Sequence, residues 1–261
     1  MSPEHKRPSG GGRPRPSGKD IRSDRGRRET SGYRGRKPDR EPAPDASKYE
    51  PAHLEDELVR DLIAAARPGK GEILVKVFAD ALGAFAAGDL DESLRLADQS
   101  KHIALRSTHA REFLGIALYE AGRYKEAATE LSAFRRLSGS TEQNPLLADC
   151  YRALQKPEKA IDICSEIDVG KVGPQIYYEG AIVAAGALTE MGKLDAAIAQ
   201  LERLDLEPAV AEEHHVRAWY ALGNLLELKG KFTQARSWFE AAASADGDQT
   251  DAAERAARIK A

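Results

Sequence analysis

WYALGNLLELKGKFTQARSWFEAAASADG, running from Trp219 to Gly247, is the stretch that decides the fold. Its apolar and small residues fall at Trp219, Leu222-Gly223, Leu226, Gly230, Phe232, Ala235, Phe239 and Ala242. On either side of Gly230 the spacing is that of an amphipathic helix. The glycine supplies the positive φ that ends the first helix and turns the chain into the second. Gly223 and Ala235 keep the two helices close, while the larger residues fill the space beside them. One such hairpin cannot bury its apolar side alone and needs a neighbour.

Neighbours are present. Counting back from Gly230, equivalent turn positions fall at Gly192, Gln155, Gly122 and Gly88, at intervals of 38, 37, 33 and 34 residues. The second copy carries Leu114-Gly115, Leu118, Tyr124, Ala127, Leu131 and Phe134. The third carries Leu147-Ala148, Tyr151, Ala160 and Cys164, with Gln155 in place of the glycine and Pro157 suited to a first helical turn. The fourth carries Ala184-Ala185, Leu188, Leu194, Ala197 and Leu201. In the first copy Ala81, Leu90 and Ala97 fit, but Asp80 and Ser93 stand where Leu and Ala are usual.

This pattern resembles the tetratricopeptide repeat, a helix–turn–helix unit that stacks into a solenoid. The resemblance implies an all-α fold: a right-handed α-solenoid of about five helix-turn-helix repeats with capping helices. The helix pairs are predicted at 73–87/90–106, 108–121/124–137, 145–154/157–167, 175–191/194–204 and 211–229/232–244, with loops at Gly170 to Pro174 and Asp205 to Pro208. The overall layout is similar to that of tetratricopeptide proteins of actinobacteria.

Four segments follow from composition. Residues 1–50 are rich in Arg, Pro, Gly and Ser and read as a disordered basic arm. Residues 51–69 hold a short capping helix over 52–66, with Leu54, Leu58, Leu62 and Ala65/Ala66 on one face. The repeat domain occupies 73–247. Residues 248–261 form a C-terminal capping helix, with Thr250 as its N-cap and Ala253, Ala256, Ala257 and Ile259 facing the last repeat. The leading helix of the first repeat, ILVKVFADALGAFAAG, is apolar nearly all round, so helix 52–66 is expected to cover it at Val75, Phe78, Leu82 and Phe85. The alternative is an open apolar groove for a partner's amphipathic helix.

The resemblance also implies a groove lined by fixed places on each first helix. Those places hold His109, Glu112, Ile116 and Tyr119; then Glu142, Pro145, Asp149 and Arg152; then Glu179, Ile182, Gly186 and Thr189; and Arg217, Tyr220, Asn224 and Glu227. Relatives that clamp a C-terminal carboxylate use Lys and Asn at such places, and here only Asn224 and Arg217 match. The carboxylates instead suit a basic or mixed peptide. The same positions also read as ordinary solvated helix faces.

Net charge is −3, but residues 1–50 carry +6 and residues 51–261 carry −9. The arm's Arg25, Arg27, Arg28, Arg34, Arg36 and Lys37 surround Gly and Tyr33, a composition able to contact RNA through phosphate neutralisation and stacking. Asp20, Asp24, Glu29 and Asp39 dilute that signal, and a solubilising linker is the simpler reading.

Signatures of catalysis are lacking: there is no GxGxxG, no Walker A sequence and no GxSxG elbow. Cys150 and Cys164 fall at apolar-face positions and read as buried free thiols. His214-His215 lacks the four-residue spacing of a helical metal pair and reads as surface. The Asp246–Asp251 cluster lacks a calcium loop's sixth-place glycine and reads as helix capping. No cofactor and no metal are expected. No apolar run approaches the ~20 residues that span a membrane, and the expected location is the cytoplasm. The sequence thus predicts a non-catalytic scaffold or adaptor that binds a protein or peptide partner in its groove. The alternative is an RNA- or ribosome-associated factor working through the arm. Self-association is left open.

Overall fold

A computed structural model describes residues 48–246 and 250–259. The arm residues Arg25 to Lys37, and residues 247–249 of the acidic cluster, lie outside the described residues. Among the described residues the regular structure is wholly helical. Five hairpins follow one another: α2 (Gly71–Ala86) with α3 (Leu90–Ile103), α4 (Thr108–Glu120) with α5 (Tyr124–Ser138), α6 (Asn144–Ala153) with α7 (Pro157–Ser165), α9 (Pro174–Glu190) with α10 (Leu194–Leu201), and α11 (Glu213–Leu228) with α12 (Phe232–Asp246). Helix α1 (Asp56–Ala65) precedes them, and α13 (Ala252–Arg258) follows.

The turns explain the repeat. Gly88, Gly122, Gly192 and Gly230 all adopt positive φ, between 69° and 79°. Gln155 occupies the same left-handed turn at φ 58° with a side chain attached. For an L-residue that conformation costs roughly 1–2 kcal/mol, so the third hairpin carries strain that the others avoid. The close approach is equally explicit: a Cβ on Gly223 would sit 2.8 Å from the ring of Phe239, which is fully buried.

Each hairpin packs on the next. The second helix of one meets the first helix of its successor (α3 on α4, α5 on α6, α7 on α9, α10 on α11), while α4, α6, α9 and α11 form a continuous row. The departures in the first repeat are accommodated by hydrogen bonds. Ser93, fully buried, donates to the Ala81 carbonyl at 3.0 Å, and Asp80 accepts from Lys76 Nζ at 2.6 Å. The apolar interior forms two clusters that meet in α9. Val183, Ala184 and Ala187 belong to the first cluster, Tyr178, Ala181 and Ala185 to the second.

At the N-terminal end, residues 48–55 form a strap without helix, bent at 48 and 49, before α1 begins at Asp56, later than the expected 52. Glu55 is extended at φ −62° and ψ 146°, and its side chain makes no capping hydrogen bond to α1. This strap crosses α2, with the Ala52 amide donating to the Ala79 carbonyl at 3.1 Å. The Tyr49 hydroxyl reaches the Asp89 carboxylate. Gly83 admits the strap, since a Cβ there would lie 2.2 Å from the Glu50 carbonyl oxygen. Helix α1 buries Leu62 completely, worth about 2–3 kcal/mol of apolar transfer. Phe78 is buried and Phe85 half-buried, both edge-on to Phe113 of α4 at 5.6 and 5.7 Å.

Three local expectations need correction. The Gly170 to Pro174 loop contains a helical turn, α8 (Val169–Val172), which Asp168 starts by accepting from the Gly170 amide. His214 and His215 are buried rather than on the surface, packed edge-on against Tyr178 at 4.5 and 5.2 Å. The reason is the preceding connector, which seats α11 so that its first turn faces α9. His215 Nδ1 accepts from the Glu212 amide at 3.0 Å and closes a capping box. Finally, α13 is rotated from its expected register. Ala252, Ala256 and Ile259 are buried, while Ala253 and Ala257 are exposed. Asp251 occupies the N-cap position but gives its carboxylate to the Tyr220 hydroxyl at 2.6 Å, and it is Thr250 Oγ1 that accepts from the Ala252 amide, at 3.4 Å.

Candidate functional site: the face of the first helices

The row α4–α6–α9–α11 presents one continuous face, because residues three or four apart on each helix point the same way. Polar bridges cross it from repeat to repeat. Gln143 Nε2 donates to Glu112 at 3.0 Å, and the Tyr119 hydroxyl donates to Asp149 at 2.7 Å. Arg152 spans from Asp149 to Glu190, 2.7 Å from each, passing over Gly186, where a Cβ would meet its guanidinium carbon at 2.6 Å. Arg217 reaches back to Glu179 at 2.8 Å.

Two adjoining depressions open in this face. The first, about 310 Å³, is lined by Tyr119, Glu142, Gln143, Pro145, Leu146, Asp149, Arg152, Ile176, Glu179, Ile182 and Val183. The second, about 370 Å³, is lined by Ile182, Glu213, Val216, Arg217, Tyr220, Ala221, Asn224 and Thr250. Ile182 belongs to both and forms the ridge between them. Burial raises the Glu179 carboxyl above the ordinary glutamate range, with nearby Asp149 and Glu213 adding to it and Arg217 opposing. Burial, and then the Asp149 carboxylate, hold the Tyr119 hydroxyl firmly protonated.

Both ends of the face are already engaged. At one end α1 reaches it through Asp61, whose carboxylate lies 3.2 Å from His109 Nε2. At the other, Arg255 of α13 lies over the rings of Phe239 at 4.3 Å and Tyr220 at 5.4 Å. Its guanidinium also reaches Asn224 and Glu227. The residues expected in one groove therefore divide. Glu112, Ile116, Tyr119, Asp149, Arg152, Glu179, Ile182 and Arg217 remain between the two ends, although Glu112 and Ile116 line neither depression. His109 is taken by α1 and Glu227 by α13, with Tyr220 and Asn224 shared between α13 and the second depression.

Sequence reasoning missed Asp61, Arg255, Ile176, Glu213 and Val216. Arg255 shows why: on a helical wheel it is one more charged residue, and only the rotated seating of α13 turns it inward. Val216 falls one place, and Glu213 four places, before the expected Arg217, and both become visible once the seating of α11 is known.

A more voluminous depression, about 640 Å³, lies elsewhere, on the side of the second helices α3 and α5. Its charges largely neutralise one another: Arg123 pairs with Glu126 at 2.6 Å, and Lys101 with Asp98 at 2.6 Å and with Glu130 at 3.6 Å. Cys150 and Cys164 are free and buried, and burial pushes both thiols up to about 12. Among the described residues no cluster of three His, Cys, Asp or Glu side chains could hold a metal ion. None of the described helices is long and apolar enough to cross a membrane.

The sequence model of the tetratricopeptide repeat matches residues 183–252. The match falls on the last hairpins, and the described helices before them share the fold of tetratricopeptide proteins. Among solved structures, TTC0263, a tetratricopeptide protein of Thermus thermophilus, is 19% identical, with 71% of this chain covering 98% of that one at a TM-score of 0.55. MamA is 20% identical, with 73% of this chain covering 98% of it at 0.53. PilF of Pseudomonas aeruginosa is 15% identical, with 73% covering 84% at 0.56. These likenesses are of fold. No curated protein matches the sequence.

Proposed function

We propose that this protein is a non-catalytic scaffold that docks a segment of a partner protein along the face of α4, α6, α9 and α11. The observation that carries this reading is the pair of depressions sharing Ile182, left open between two occupied ends. A partner segment laid there meets an apolar ridge flanked by polar groups, the usual composition of a peptide-binding surface. The cysteines are too buried and too weakly acidic to act as nucleophiles at neutral pH. Fold alone does not define activity; the reading rests on the site.

The test is affinity capture from a lysate with the full chain and with its Ile182→Arg variant. A protein retained by the former and lost by the latter, with helicity unchanged by circular dichroism, supports docking on this face. Identical captures from both place docking elsewhere.

A further inference from the structure

The open stretch of the face carries more negative than positive charge. Glu142, Asp149 and Glu179 line the first depression against Arg152, and Glu213 faces Arg217 in the second. Both arginines are already committed, Arg152 to Asp149 and Glu190, and Arg217 to Glu179. An incoming anion would therefore meet carboxylates whose cations are spent, while an incoming cation would meet carboxylates not fully neutralised. Burial already disfavours the charge on Glu179, so a cation placed beside it relieves that cost.

The molecule contains one filled example of such a station. On the last repeat, Arg255 stacks on Phe239 and Tyr220 and takes its polar partners from Asn224 and Glu227. The aromatic ring contributes by cation–π attraction and the carboxylate by a charge-assisted hydrogen bond. Nearer the N-terminal end of the same face the ingredients recur, the ring of Tyr119 beside the carboxylate of Asp149, on a wall of the first depression rather than under a capping helix.

Building on the scaffold reading, we propose that the groove recognises a short peptide segment that is both basic and apolar. A Lys or Arg side chain sits against Glu142, Asp149 and Glu179 in the first depression. A large aliphatic or aromatic side chain packs on Ile182, Val216 and Ala221 in the second. The charge sets which segments are accepted and how fast they arrive, and the apolar anchor holds them.

The test uses a phage-displayed library of random dodecapeptides panned on the full chain, followed by fluorescence anisotropy with the recovered peptides. Recovered sequences are expected to pair Lys or Arg with Leu, Ile or Phe. Their affinity should fall about tenfold in the Asp149→Asn, Glu179→Gln double variant, and again as NaCl rises from about 50 to 500 mM. The Ile182→Ser variant should lose them. Thermal melts check that each variant is folded, and the salt titration on the unaltered protein stands even if a variant is not. Recovery of acidic or uncharged peptides that still depend on Ile182 would overturn the basic-segment inference and leave the scaffold standing. Peptides indifferent to every substitution on this face, or no enrichment at all, would overturn both.

Discussion

The guanidinium of Arg255 lies 4.3 Å above the ring of Phe239, so the last helix is held by a contact reaching the core of the hairpin before it. Helix α13 has only seven residues and buries little besides Ala252, Ala256 and Ile259. A helix that short does not persist unaided. Replacing Arg255 by Ala should weaken its docking by about 1–3 kcal/mol. Lys should not restore it, because an ammonium cannot both stack and fork. Amide hydrogen exchange in α13 reads this out; unchanged protection in the Ala variant would mean that the alanines and Ile259 suffice.

Gln155 offers a stabilising change. Glycine at this turn removes the strain of φ 58° and costs some unfolded-state entropy. The net expectation for Gln155→Gly is a gain of about 0.5–1 kcal/mol. Urea titration should show a higher midpoint at constant slope. The converse change Gly122→Ala, at φ 69°, should destabilise by a similar amount.

Gly83 is where the N-terminal strap crosses α2. A methyl group there collides with backbone, the Glu50 carbonyl oxygen, which cannot swing aside as a side chain can. Gly83→Ala should detach residues 48–55 and cost about 1–3 kcal/mol. Limited proteolysis would then cut near Pro51, whereas the unaltered protein should resist cleavage there. Equal resistance in both would show that the strap shifts without loss.

Acid should act on the junction of the fourth and fifth repeats. His214 is buried among His215, Tyr178 and the Glu212 carboxylate, which lies 3.8 Å from its Nδ1. Burial, then repulsion from His215, lowers its pKa below the ordinary 6.5, with Glu212 opposing. The folded protein therefore binds this proton less readily than the unfolded chain. The stabilisation is complete above the unfolded value and is lost as pH falls from there through the folded value, by up to about 1.4 kcal/mol per pH unit. Urea midpoints measured between pH 7.5 and 5 should decline, and His214→Leu should flatten that decline. A flat profile in the unaltered protein would assign the junction no such sensitivity.

Cys150 and Cys164 should resist maleimide labelling at pH 7.5 in the native protein and react once it is unfolded in urea, since burial raises both thiols to about 12. Rapid native labelling would show that the third repeat opens readily.

The repeats were legible because three constraints coincide at each hairpin: a left-handed turn, a small residue at the crossing and large residues beside it. Even Gln155 was placed by interval despite lacking the glycine. The expected groove residues were read from position within the repeat, and that gave their helix face but not their neighbours. Helix α1 and helix α13 were assigned by periodicity, which fixes a stripe only when the first residue is known. The stripe expected on the first helix, Leu54, Leu58, Leu62 and Ala65/Ala66, does pack on the core although residues 52–55 are not helical. The later start of α13, by contrast, replaces Ala253 and Ala257 by Ala252 on its buried side. The histidine pair was misplaced for a related reason: polar residues at a helix start look solvated until the connector's path is known, and here Tyr178 covers them.

Helix α9 contributes side chains to both apolar clusters, and Ile182 projects from it between the two depressions. The array is accordingly spliced rather than uniform, two packed blocks keyed together along one rod. Ile182 itself packs against the second block, so a load applied there would reach the first block only through the α9 backbone that the two share.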